Sequence, residues 1–295
     1  MATPASNSDS IPALTPASNL SLSYLSKMTK PTHVTWLNDT GQTAKTADGS
    51  VVSIWEFSYK QDDAAMSAWA KHFREHYCRD AELPDLVSGT GKTNAEFLLE
   101  MKFPDKAPGL GPATRSGDFG EILVADYLEY ILDYWCPREH RYEGRKNPNV
   151  SDPGTDIVGF KFSGKVEPTD ELFTMEAKAG LRPSKENRLQ TAIDDSGKDL
   201  LRDAATLSAI KQRLLLKDKG EALTVQRFQD PVDRPFTRVS GASAVLDVNV
   251  LDKMDIDKSD ASKHPNKNNL KLVLIKGTSM MDLVHALYDR AANEA

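Results

Sequence analysis

The chain has 295 residues, with 43 acidic side chains against 37 basic ones and a net charge of −6. That balance excludes a protein that grips nucleic acid by bulk charge alone, and no run approaches the ~18 uninterrupted apolar residues of a membrane span. Two cysteines, Cys78 and Cys136, exclude a disulfide framework and fit a reduced, cytoplasmic chain. Residues 1–26 hold no Lys or Arg and no sustained apolar run, which argues against a secretory signal.

In chain order, residues 1–27 are rich in Ser, Ala, Thr, Pro and Asn and read as a disordered tail. Residues 33–37 and 51–59 read as strands, with 41–49 as the hairpin loop between them. Met66, Trp69, Phe73 and Tyr77 recur at three- and four-residue steps and predict an amphipathic helix over 62–79. Thr93 and Glu96 form a capping-box pattern opening a helix that Pro104 closes. The Pro- and Gly-rich stretch 105–114 is the expected boundary between an N-terminal α/β segment (28–105), a candidate for partner docking through its aromatics Trp55, Phe57, Trp69, Phe73 and Tyr77, and a core over 106–295. Within that core a long helix is expected over 116–134, capped by Ser116 and ended by Pro137, followed by a basic irregular stretch over 138–146. Strands at 156–162 and 172–178, a helix over 184–217, strands at 242–251 and 270–276 and a terminal helix over 278–293 complete an α/β pattern, a mixed sheet flanked by helices.

Three motifs carry less than they suggest. Ser88-Gly-Thr-Gly-Lys-Thr93 resembles a phosphate loop, but its first glycine belongs at position 86, where Leu86 stands, and no strand precedes it, so no bound nucleotide is expected. His72 and His76, four residues apart on the expected helix, read as two exposed histidines rather than a metal pair. Asp252, Asp255, Asp257 and Asp260 lack the central glycine and terminal Glu of a calcium loop and read as a solvated run.

One constellation points to chemistry. Side chains alternate along a strand, so Glu176 and Lys178 share one face at the end of an otherwise apolar strand, and Asp156, at the start of the preceding strand, can reach the same spot. Asp156, Glu176 and the Ala177 carbonyl then offer hard oxygen ligands to one Mg²⁺, with Mn²⁺ as a substitute, while Lys178 orients water and stabilises charge. Glu121, beside Gly117 and Gly120 on the expected helix, can add a carboxylate, or can simply favour a helix N-terminus. Arg182, Lys185, Arg188, Gln190 and Lys198 form a local basic edge, which suits a phosphodiester backbone or equally a solvated helix face.

A helix bearing Glu121, a strand opened by Asp156 and a strand ending Glu176-Ala-Lys178 resemble the PD-(D/E)xK nuclease superfamily, although Pro153 stands three residues ahead of Asp156 instead of directly before it. With AWAKHFREHY (68–77), RSGDFGEILVADY (115–127), GTDIVG (154–159) and EAKAG (176–180), the chain from about residue 30 onward resembles HamA, the nuclease family of Hachiman anti-phage defence. The resemblance implies a restriction-endonuclease-like core and Mg²⁺-dependent DNA cleavage in which Glu121, Asp156, Glu176 and Lys178 are the catalytic set. It also implies a superfamily-2 helicase partner, HamB. A stand-alone restriction-type endonuclease and a non-catalytic adaptor on a nuclease fold are the rival expectations.

Overall fold

A largely exposed N-terminal hairpin strand, a half-buried partner and near-continuously buried later strands build one six-stranded sheet. The computed structural model describes residues 29–138, 141–151, 154–163, 165–251 and 256–295. The expected tail over 1–27, Pro153, and Asp252 and Asp255 of the acidic run lie outside the described residues. The strands are β1 (Leu37–Lys45), β2 (Val51–Phe57), β3 (Ile157–Lys161), β4 (Glu171–Gly180), β5 (Thr237–Asp247) and β6 (Leu270–Gly277), in the order β1-β2-β6-β5-β4-β3. The two outer pairs are antiparallel and the three inner pairings parallel, so the sheet is mixed.

Helices cover both faces. On one lie α1 (Asp63–Glu75), α2 (Gly111–Tyr130) and, from the C-terminus, α5 (Met280–Asn293), sharing a core with Phe173, Met175 and Ala177 of β4. On the other, α3 (Arg188–Leu215) and α4 (Lys219–Arg227) pack on Leu172 of β4, Val158 and Phe160 of β3, and Ala242, Ala244 and Leu246 of β5. The mixed α/β architecture expected from the sequence is therefore present. The segment over 28–105 shares this sheet and core: β2 pairs with β6, and α1 packs against α5. Phe57, Trp69, Phe73 and Tyr77 are buried there as core, not as a docking face.

Several boundaries differ from the sequence reading for identifiable reasons. Residues 33–37 form mainly a 3-10 turn, Thr32–Trp36, whose three-residue period buries His33 and Trp36 together, and β1 starts only at Leu37. Helix α2 opens at Gly111, inside the expected boundary stretch, because Pro112 presets the backbone of the first turn. It ends at Tyr130 because Asp133 takes a left-handed conformation (φ 58°) and Trp135 exchanges two backbone hydrogen bonds with Phe160. Helix α3 begins at Arg188, capped by the Asn187 side chain, which accepts from Gln190 N. Thr93 and Glu96 do form both halves of the capping box.

Gly120 sets the distance between α2 and the sheet. A Cβ there would lie 3.0 Å from the Cβ of Ala179 on β4. Gly117, one turn earlier, has nothing within 4 Å of such an atom and faces open space.

Candidate functional site

The β3–β4 register sets Ile157 opposite Met175, which brings Asp156 alongside the end of β4. Its Oδ2 accepts a hydrogen bond from Ala177 N at 3.1 Å. Glu176 and Lys178 point to the α3 side of the sheet, Lys178 Nζ lying 3.2 Å from Glu176 Oε2 and 2.9 Å from Asp195 Oδ2 on α3. The carboxyl groups of Asp156 and Glu176 are within hydrogen-bonding reach of each other and only 9% and 2% exposed. Burial, reinforced by the neighbouring Glu176, pushes Asp156 up to about 8 despite Arg141, and burial also raises Glu176. Burial opposes the Lys178 charge, but Asp156 and Glu176 outweigh it and hold the ammonium above its ordinary range. Lys178 therefore remains a cation at neutral pH.

Glu121 joins this group indirectly. Arg141 donates to it from Nε (2.9 Å) and Nη2 (3.2 Å), Tyr142 OH donates to Oε2 (3.0 Å), and Arg141 Nη2 also pairs with Asp156 Oδ1. Arg141 thus bonds both oxygens of Glu121 and one of Asp156, so the guanidinium links the helical glutamate to the strand aspartate. The same pattern extends along α2. Arg138 pairs with Asp126 and Glu129, and Arg145 with Asp118. The basic stretch read as irregular is an arginine ladder laid against the acidic face of α2, running in the opposite chain direction.

Glu121, Arg141, Asp156, Glu176 and Lys178 line a cavity of about 700 Å³. Of the expected basic edge, Arg182 and Arg188 line it, Arg188 also pairing with Glu186 at 2.8 Å. Lys185 is exposed outside the lining, and Lys198 is tied to Asp195 at 2.6 Å. Gln190 turns away to clamp the Asp260 loop, accepting from Asp260 N at 2.7 Å and donating to its carbonyl at 3.2 Å. Gln190 and Lys198 therefore have partners within the chain and lie outside the cavity lining. Sequence reasoning missed Arg141, Asp195, Asp199 and Arg202. Arg202 lines the cavity, and Asp199, fully buried, accepts from Thr155 Oγ1 at 3.0 Å while its Oδ2 has no partner among the described residues. The seven-residue spacing of Arg188, Asp195 and Arg202 is the signal that would have grouped three of the cavity residues on one helix face.

The donor set suits a hard divalent cation. Two buried carboxylates lie within hydrogen-bonding reach of each other, burial raises both, and a cation between them would take the place of a proton. A second group, His33, His72 and Asp126, also has ligand atoms within 4.8 Å of one another. Its chemistry is different. Arg138 already bonds the Asp126 oxygen that His72 uses, and among the described residues His33 Nδ1 has no acceptor of the kind a metal-bound imidazole requires. This is a buried ion-pair network. His76 belongs to it too, buried with Nδ1 on the His72 carbonyl (2.8 Å) and Nε2 against Arg138 (2.9 Å), which corrects the reading of two exposed histidines.

Among the described residues no helix is long and apolar enough to cross a membrane. No curated protein matches the chain. The family model for HamA matches residues 32–291, and it spans the arginine ladder, the Asp156/Glu176 pair and both helical layers. The chain belongs to the HamA family, and with it to Hachiman anti-phage defence.

Proposed function

We propose that the protein is a Mg²⁺-dependent deoxyribonuclease that hydrolyses phosphodiester bonds in DNA during phage infection. The observation that carries this reading is the buried Asp156/Glu176 pair with the Lys178 ammonium on its edge, at the floor of a cavity rimmed by arginines. Asp156, Glu176 and the Ala177 carbonyl would hold Mg²⁺, or Mn²⁺ in its place. The bound ion supplies a Lewis acid for the phosphate and a lowered pKa for water. Lys178, kept protonated by its two acidic neighbours, places positive charge where the phosphorane becomes negative. Arg141 fixes Asp156 from one side and the Ala177 amide fixes it from the other, so the carboxylate is held in place before substrate arrives. Glu121 acts on the reaction only through Arg141.

The family context and the charge balance support a helicase partner, HamB, which would deliver unwound or broken DNA and hold the nuclease quiet until such DNA appears. At a net charge of −6 the chain meets the phosphate backbone with long-range repulsion, which a partner can overcome. The test is degradation of labelled plasmid by purified protein in Mg²⁺ or EDTA, alone and with the helicase. Mg²⁺-dependent loss of plasmid, strongest in the complex, is expected. Intact plasmid in both Mg²⁺ arms would overturn the reading.

A further inference from the structure

We infer that Asp199 is a positioning residue of the cation site: through the Thr155 hydroxyl it holds the turn that carries Asp156 against α3. The inference rests on the cation-site reading above. Asp156 stands one residue ahead of β3, whose pairing with β4 starts at Ile157 opposite Met175. The turn before it runs through Gly154, whose φ of 140° is a conformation that L side chains rarely adopt. Thr155 follows, 1% exposed, and its hydroxyl donates to Asp199 Oδ1 at 3.0 Å from 44 positions away. Asp199 lies on α3 and is itself fully buried, so neither partner can exchange this bond for one to water. Arg141 on Asp156 Oδ1 and the Ala177 amide on Oδ2 orient the carboxylate, and the Thr155 bond fixes the backbone from which it hangs.

The same helix reaches the other half of the site one turn earlier. Asp195 and Asp199 are four residues apart on α3 and share a face. Asp195 pairs with Lys178 Nζ at 2.9 Å near the end of β4, and Asp199 takes Thr155 just ahead of β3. One turn of α3 thus sets the spacing between the strand that brings Glu176 and Lys178 and the turn that brings Asp156. Among the described residues, Asp199 does not gather with Asp156 and Glu176 into three ligand atoms within 4.8 Å of one another. It therefore acts through Thr155 and not as a third ligand. Partners one bond removed from a metal ligand tune its affinity by orientation, which is the role this geometry gives Asp199.

The experiment is calorimetric titration of Mn²⁺ into the full chain at neutral pH, with a melting curve for every variant. Thr155→Val, which removes the hydroxyl and little else, should weaken Mn²⁺ binding about tenfold. Thr155→Ser restores the donor and should bind like wild type. Asp199→Ala, which removes the acceptor, should bind about tenfold more weakly than Asp199→Asn, which keeps one, although both lose the charge. Thr224→Val on α4 removes another buried hydroxyl, bonded to Gly220 O at 3.3 Å, and should leave the affinity unchanged. If Thr155→Val does not fold, the two Asp199 variants carry the test. Thr155→Val binding like wild type, Thr155→Ser binding as poorly as Thr155→Val, or equal affinities for Asp199→Ala and Asp199→Asn overturns the inference alone. No saturable Mn²⁺ binding by the wild-type chain overturns the cation-site reading beneath it.

Discussion

Lys178 and Asp199 show how much of the chemistry is set by single buried charges. The Lys178 ammonium is stabilised by Asp156 and Glu176, and Glu176 faces a cavity, so removing either Lys178 or Glu176 leaves no packing void. Glu176→Gln and Lys178→Ala should each lower the cleavage rate at least about 100-fold, with melting curves that remain cooperative. Rates near wild type in either variant would remove that residue from the site. Asp199 gives a pH signature. Burial, with the Asp156 charge behind it, raises its carboxyl from 3.8 to about 6. A carboxyl whose folded pKa is raised stabilises the fold in its protonated form, fully present below 3.8 and lost as pH rises through about 6. Asp199→Asn escapes that loss. It should melt about 2–5 °C above wild type at pH 8, and the gap should close on acidification to pH 4. A gap that is constant across that range would show that Asp199 does not carry the pH-dependent cost.

At the scale of elements, the arginine ladder on α2 is the feature that orders the approach to the site. Arg141 is buried between Glu121 and Asp156, so Arg141→Gln leaves two uncompensated carboxylates and should cost about 3–5 kcal/mol in urea unfolding. Adding Glu121→Gln should return much of that loss, because the two residues are directly bonded and their effects are not additive. Simple additivity of the two would mean that the ladder is not a coupled unit. This element was illegible in the sequence for a physical reason. Its partners come from a loop and a helix between 9 and 27 positions apart, with no local period to betray them. Glu176-Ala-Lys178 was legible because a two-residue alternation in an apolar strand makes same-face charges conspicuous. Residues 33–37 failed by the same logic, since five residues cannot separate a strand from a 3-10 turn.

For the whole molecule, one sheet carries both the N-terminal hairpin and the candidate site, so the two halves expected from the Pro/Gly stretch meet in a common core. The α/β class and the order of β3, β4 and α3 followed from periodicity. The partners of individual polar side chains did not, because composition does not record which hydrogen bond or ion pair a side chain makes, as Gln190 and Lys198 show. Asp156 and Glu176 are proposed as the divalent-cation site of a nuclease. That assignment is tested most directly by calorimetric titration of Mn²⁺ into the wild-type chain, Asp156→Asn and Lys178→Ala. Saturable binding by wild type, its loss in Asp156→Asn and its retention in Lys178→Ala are the expected result. Equal Mn²⁺ affinity in wild type and Asp156→Asn would contradict it.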